Sequence, residues 1–246
     1  TTYGIVCWGG EKMLIAGNWV QNARLGMGID ASSVQMSLKD VTVVSNVVED
    51  VRFRGIQMYE FNALKNGVVR GNIVRRAGDE GVLLSGENLH CLENLVENTA
   101  WVGERASITL MNGGVNGVIA DNVIRNETAG YSDFGIWLYG ATNTTVYGNR
   151  FEGVPQGAIR DDARNSKLLP KVHSMRKQDS TVDLMVSGLP GMNYRLEVSH
   201  DFANWTTVTN LTLPGTAFQE LKYVAGPPRL SSVPTFFRMV SAESNH

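Results

Sequence analysis

Cysteine is scarce in this chain, with Cys7 and Cys91 the only two in 246 residues, too few for a disulfide framework. No run approaches about eighteen consecutive apolar residues, so no membrane-spanning helix is expected. Positive charge is not in excess. Lys plus Arg number 22 against 24 Asp plus Glu, for a net charge of -2, which argues against a nucleic-acid partner gripped by a basic face. Histidine is limited to four residues. His90 has no second histidine or carboxylate cluster at ligand spacing, so no metal is expected there. No phosphate-binding loop, G-x-G-x-x-G or Ser-His-Asp set stands in a usable context, and no cofactor is expected. An initiating methionine and a signal peptide are also missing. The chain opens Thr1-Thr2-Tyr3-Gly4 and is expected to be a fragment or processed product whose targeting segment lies outside it.

What is present is a repeat. Asparagine followed by an apolar pair recurs as Asn18-Trp19-Val20, Asn46-Val47-Val48, Asn72-Ile73-Val74, Asn94-Leu95-Val96 and Asn122-Val123-Ile124, then as Asn149-Arg150-Phe151. Between these stand Gly4-Ile5, Gly28-Ile29, Gly55-Ile56, Gly81-Val82, Ser107-Ile108, Gly135-Ile136 and a weaker Gly157-Ala158-Ile159. Each begins a period-2 run of the kind a strand makes, apolar inward and mixed outward. Three residues before each Asn lies Ile15, Val43, Val69, Cys91, Ile119 or Val146. Stacked coils explain these columns: each coil supplies short strands to parallel sheets, and like residues pile into ladders. The asparagines are expected to shape turns by bonding backbone and neighbouring coils. The two cysteines then fall three coils apart, roughly 14 Å at about 4.8 Å per coil, beyond the roughly 7 Å a disulfide allows.

Over residues 1–166 these alternating N-x-[VI] turns and G-I-x-L strands resemble the pectin-lyase-like right-handed parallel β-helix superfamily. The resemblance implies an all-β fold of about seven coils. The first coil begins without a cap, as expected of N-terminal truncation. The superfamily spans lyases, glycoside hydrolases, epimerases, esterases, tailspikes and non-catalytic surface proteins, and fold does not choose among them. The G-H-G with paired aspartates of polygalacturonases, the D-P-H-E of mannuronan epimerases and the W-x-D-H of pectate lyases are all missing.

The repeat stops after Asn165-Ser166. Residues 167–178, with Pro170 and several charges, are expected as a linker, and 179–246 as a small β-sandwich-like module. Its signals, L-P-G-x-x-Y-x-L-E-x-S, D-x-x-x-W-T-x-V and a closing F-F-R, resemble a β-rich module at the C-terminus of large secreted bacterial proteins. That resemblance implies export, secreted or to the cell surface, and no chemistry. Trp205 is expected in its core.

A β-helix is filled inside, so chemistry must lie outside, in loops or on an outward face. From the Asn to the next strand most coils take ten or eleven positions, but Asn94 to Ile108 and Asn122 to Ile136 take fourteen. These longer loops carry Trp101, Glu104 and Arg105, then Glu127, Tyr131 and Asp133. Three positions before the strand's aliphatic residue stand Asp79, Arg105 and Asp133 on successive coils. The aspartates would sit roughly 10 Å apart, near the top of the about 6.5–9.5 Å range of inverting glycosidases. A carboxylate beside an arginine also suits β-elimination from a uronate, and a corner-holding ladder is the structural alternative. Asp79 and Asp133 are the candidate acid and base, Arg105 the charge partner and Glu104 the reserve carboxylate. Outward strand positions include Asp30, Gln57, Tyr59, Trp137, Tyr139 and Arg160; with Trp101 and Tyr131 they are the candidate sugar-binding residues. A face covered by loops is the alternative to an open groove.

The expectation is a secreted carbohydrate-active protein that binds an extended polysaccharide, as a glycoside hydrolase or, second, a polysaccharide lyase. A non-catalytic adhesion or spacer solenoid is the competing class.

Overall fold

A computed structural model of the chain describes residues 2–30, 38–59, 64–101, 105–127, 132–154, 157–178, 181–189, 191–213, 218–224 and 235–242. Every regular element among them is a strand. The chain divides into two compact units, Thr1–Lys167 and Leu168–His246.

The first unit is a right-handed parallel β-helix. Its first sheet stacks seven strands in chain order: Tyr3–Trp8, Leu25–Asp30, Ile56–Tyr59, Val82–Ser85, Ala106–Leu110, Phe134–Thr142 and Gly157–Arg164. A second sheet runs from Leu14–Ala16 to Thr145–Tyr147 and on to Lys167, and a third from Trp19–Gln21 to Arg150–Glu152. The column from Ile15 to Val146 and the column from Val20 to Phe151 are buried throughout. Each such side chain contributes about 1.5–3 kcal/mol by leaving water.

The bend between the second and third sheets explains the asparagines. The residue before each is left-handed, with φ between 55° and 67° at Gly17, Ser45, Gly71, Glu93, Asp121 and Gly148. The Asn amide then turns inward. Asn72 Nδ2 donates to Asn94 Oδ1 at 3.0 Å and to the Val43 carbonyl, two coils away from Asn94, at 3.0 Å. The same bonds link Asn18, Asn46, Asn94, Asn122 and Asn149. Buried amides are thereby satisfied along the axis, as burial demands.

The glycine column marks close approach. A Cβ on Gly26, Gly55 or Gly81 would stand 2.3–2.4 Å from Val48, Val74 or Val96 of the third sheet and 2.3–3.0 Å from the next coil's carbonyl oxygen. The second coil is therefore registered on Gly26-Met27 and not on Gly28-Ile29. Met27 pairs with Ile5 and Ile56, while Asp30 lies between Trp8 and Tyr59. A two-residue shift keeps Asp30 outward but moves it away from Gln57, whose neighbour is Gly28.

The segment 167–178 is strand where a linker was expected. The Lys167 N–H donates to the Thr144 carbonyl at 2.7 Å, and Lys171–Gln178 pairs antiparallel with Thr181–Ser187. Pro170 separates the two strands, and the charges fit an edge strand, which tolerates them. In the second unit two three-stranded antiparallel sheets enclose Val182, Leu184, Val186, Tyr194, Leu196, Leu211, Leu213 and Met239. Trp205 is not among them. It is half-buried, its indole N–H donates to the Phe202 carbonyl at 3.0 Å, and the Arg238 guanidinium lies 4.2 Å from its ring centre.

Candidate active site

The corner leading into the first sheet stacks like residues, coil on coil. The Asp79 N–H donates to the Phe53 carbonyl at 3.2 Å and the Asp133 N–H to the Arg105 carbonyl at 3.0 Å. Position along this corner decides which side chains meet. Arg54 and Glu80 each stand two residues before a strand aliphatic, one coil apart, and the strand parity turns Glu80 inward. Its side chain is only 2% exposed, with Arg54 Nε 3.0 Å from Oε2 and Arg105 Nη1 3.2 Å from Oε1.

Asp79 lies beside this clamp, 16% exposed, with Arg105 Nε 3.2 Å from Oδ1 and Arg54 Nε 3.9 Å from Oδ2. The Arg105 contact is not aligned as a hydrogen bond, and Oδ1 is enclosed without a donor among the described residues. Burial raises the Asp79 carboxyl above the usual carboxylate range; the charge of Glu80 adds to this, and the two arginines oppose it.

Asp79 opens onto a cleft of about 420 Å³ on the outward face, lined also by Tyr3, Trp8, Asp30, Phe53, Arg54 and Gln57. Arg54 Nη1 donates to Gln57 Oε1 at 2.9 Å, fixing both at the floor. Phe53 is held between the Arg24 and Arg52 guanidinium groups, at 5.0 and 5.6 Å. Trp8 and Tyr3 are exposed. Trp101, also exposed, packs against Gly78, where a Cβ would come within 3.2 Å of its ring.

The expected residues separate into groups. Asp79 and Arg105 come together, and Asp30 and Gln57 line the same cleft. Tyr59 flanks Asp30 on the next coil. Asp133 is half-buried one coil beyond Arg105, whose guanidinium turns the other way. No ion pair joins Arg105 to Asp133 among the described residues. Glu104 and Tyr131 lie outside the described residues. Trp137, Tyr139 and Arg160 meet at the far end of the sheet. There the Arg160 guanidinium lies 4.5 Å from the Trp137 ring centre, and the Trp137 indole N–H donates to Asp162 at 2.8 Å. Tyr139 packs edge-on to Trp137 with ring centres 4.9 Å apart. Arg160 thus covers one Trp137 face. Between the two ends Leu83, Ser85 and Thr109 are buried, so among the described residues no open surface joins the cleft to the far cluster.

Glu80 and Arg54 were missed from the sequence. The available signal was an acid at core-facing parity in Asp79-Glu80 with an arginine one coil earlier in the same column.

A parallel β-helix with an acid–arginine cluster beside an outward cleft is the class this first unit defines. Residues 1–167 match the family described as periplasmic copper-binding protein (NosD), and the chain belongs to that family. Among curated protein sequences none matches. Among solved structures, the Azotobacter vinelandii mannuronan C-5 epimerase AlgE4 A-module is similar at 16% identity with a TM-score of 0.47. That similarity covers 67% of this chain and 46% of the epimerase chain, so the chain spans less than half of that neighbour.

The family description implies copper, and the donor chemistry of the described residues does not fit it. Among the described residues no three His, Cys, Asp or Glu side chains are grouped to hold a metal. Cys91 is fully enclosed, its thiol pushed up to about 12 by burial, and its contacts are the amides of Asn94 and Asn122. To hold copper, Cys91 would have to be a thiolate. His90 stands in the second sheet between Val68 and Val118, which offer no donor side chain.

Proposed function

We propose that this is an extracytoplasmic carbohydrate-active protein that acts on an acidic polysaccharide in the cleft beside Asp79. The observation that supports this best is a carboxyl group, resistant to ionisation, set between two guanidinium groups at the edge of an aromatic-lined cleft. Hydrolysis needs two carboxyl groups on opposite sides of the scissile bond. Asp133 does not line the cleft, where Asp30 is the other carboxylate, and the two guanidinium groups beside Asp79 favour elimination from a uronate over hydrolysis.

In that reaction Arg54 neutralises the uronate carboxylate and ionised Asp79 removes the C5 proton. The C4–O bond breaks as the C4–C5 double bond forms, and the leaving oxygen takes a proton from water. Exposed Trp8 and Tyr3 offer rings for neighbouring sugars. The cleft holds a short stretch of chain, since Leu83 beyond it is buried.

The periplasmic description of the family supports an extracytoplasmic location. A second reading, a non-catalytic solenoid, draws on the near-complete enclosure of Glu80, which also suits a clamp that only holds the corner.

The test is incubation with neutral and uronate polysaccharides, recording reducing ends and the absorbance of unsaturated products. Absorbance that rises with pH through a value above the usual carboxylate range, and is lost in Asp79→Asn, is the expected result. Reducing ends without absorbance would make it a hydrolase; no product from any polysaccharide would leave the solenoid reading.

A further inference from the structure

The second unit carries an exposed aromatic arrangement centred on Phe202. Phe202 has φ 61°, in the left-handed region that a bulky residue adopts only at a cost, and the residue is 64% exposed. A turn holds it there: Asp201 Oδ1 accepts from the N–H groups of Ala203 and Asn204, at 2.9 and 2.8 Å. Beneath the ring lies Phe236, centre to centre 3.6 Å, and Trp205 meets it edge-on at 6.4 Å. Arg238 closes the other side of Trp205, anchored by its Nε to Glu197 at 2.7 Å. Phe202 is therefore a buttressed ring, displayed outward.

Its surroundings limit what it can meet. Asp201, Ala203, Asn204, Thr206 and Thr207 are all exposed, so a single apolar ring stands among hydroxyl, amide and carboxylate groups. A stable protein partner needs about 800 Å² per side with an apolar centre, which one ring does not supply. A pyranose does match it: an apolar C–H face of ring size, rimmed by hydroxyls. We propose that Phe202, supported by Phe236 and Trp205, is a stacking platform for a polysaccharide, a second glycan site independent of the Asp79 cleft. It holds the protein on its polymer and carries out no chemistry.

The test is affinity electrophoresis of the whole chain through gels containing hydroxyethylcellulose, xylan, glucomannan or alginate, with Phe202→Asn run beside it. Asparagine tolerates left-handed backbone, so this variant should keep or raise the melting temperature. The expected result is retardation of the parent chain by at least one polymer and at least tenfold weaker retardation of Phe202→Asn. Equal retardation of both overturns the platform, as does retardation by none of the four. Loss accompanied by a lower melting temperature makes the ring structural and overturns it as well. Concentration-dependent dimers in sedimentation, abolished by Phe202→Asn, would assign the ring to a second copy of the chain and overturn it too.

Discussion

Two carboxyl groups in the β-helix, Asp79 half-buried and Glu97 buried, are shifted in opposite directions by what surrounds them. Burial pushes Asp79 up, and the neighbouring acid adds to that. A group raised on folding contributes its stability below the unfolded value and loses it as pH rises through the folded value. Asp79→Asn removes that penalty, so its melting temperature should exceed the parent's at neutral pH and converge with it on acidification. Thermal melts across pH check this, and a variant less stable at neutral pH would show the ionised carboxylate to be favoured. Burial also pushes Glu97 up, but hydrogen bonds from Arg75 and Arg125 overcome it and hold the group below the usual range. Here the stability is present above the unfolded value and is lost as pH falls through the folded one. Glu97→Gln should cost about 1–3 kcal/mol at neutral pH, and denaturant titrations at successively lower pH should show the difference fading.

At the scale of elements, ladders distribute one requirement over many coils. Asn94 sits mid-ladder, donating to the Val69 carbonyl and to Asn122 while accepting from the Asn72 backbone and side chain. Asn94→Ala orphans several buried groups and should cost at least about 2 kcal/mol. Asn18, half-exposed at one end, can replace lost partners with water, and Asn18→Ala should cost under about 1 kcal/mol. Urea unfolding of the two variants compares them directly; equal losses would mean that the ladder adds nothing beyond its separate turns. A charge ladder on the third sheet follows the same logic. Glu49, Arg75, Glu97, Arg125 and Glu152 alternate in register, one per coil, so that Arg75, Glu97 and Arg125 each have an opposite charge on both neighbouring coils.

The whole molecule has two cores, each within its own unit. The β-helix core is a stack of aliphatic columns, and that of the second unit lies between two antiparallel sheets. Leu184 is fully buried in the latter. Leu184→Ala should cost about 2–5 kcal/mol by transfer and cavity terms. Its effect should fall on the unfolding of the second unit, read by hydrogen exchange in 171–213, with Val69 and Val96 amides protected as before. Protection lost equally in both units would show them to unfold as one.

The sequence by itself determined the coils, because the columns of Asn, Gly and aliphatic residues each answer a local demand: a left-handed bend, a close approach, an inward face. It also placed Asp79 and Arg105 on neighbouring coils at one corner. It misregistered the second coil, since Met27 hid the column and Gly28 resembled it, and charges with a proline concealed the strands in 167–178. Only the tertiary structure decided that Arg105 turns toward Asp79 and Glu80 and away from Asp133. Only there, too, does Arg160 cover Trp137 and the burial of Leu83, Ser85 and Thr109 separate the cleft from that far cluster. The physical reason is that backbone position along a coil is set by short-range sterics and burial. The direction of a long charged side chain depends on which counter-charges the neighbouring coils bring within reach.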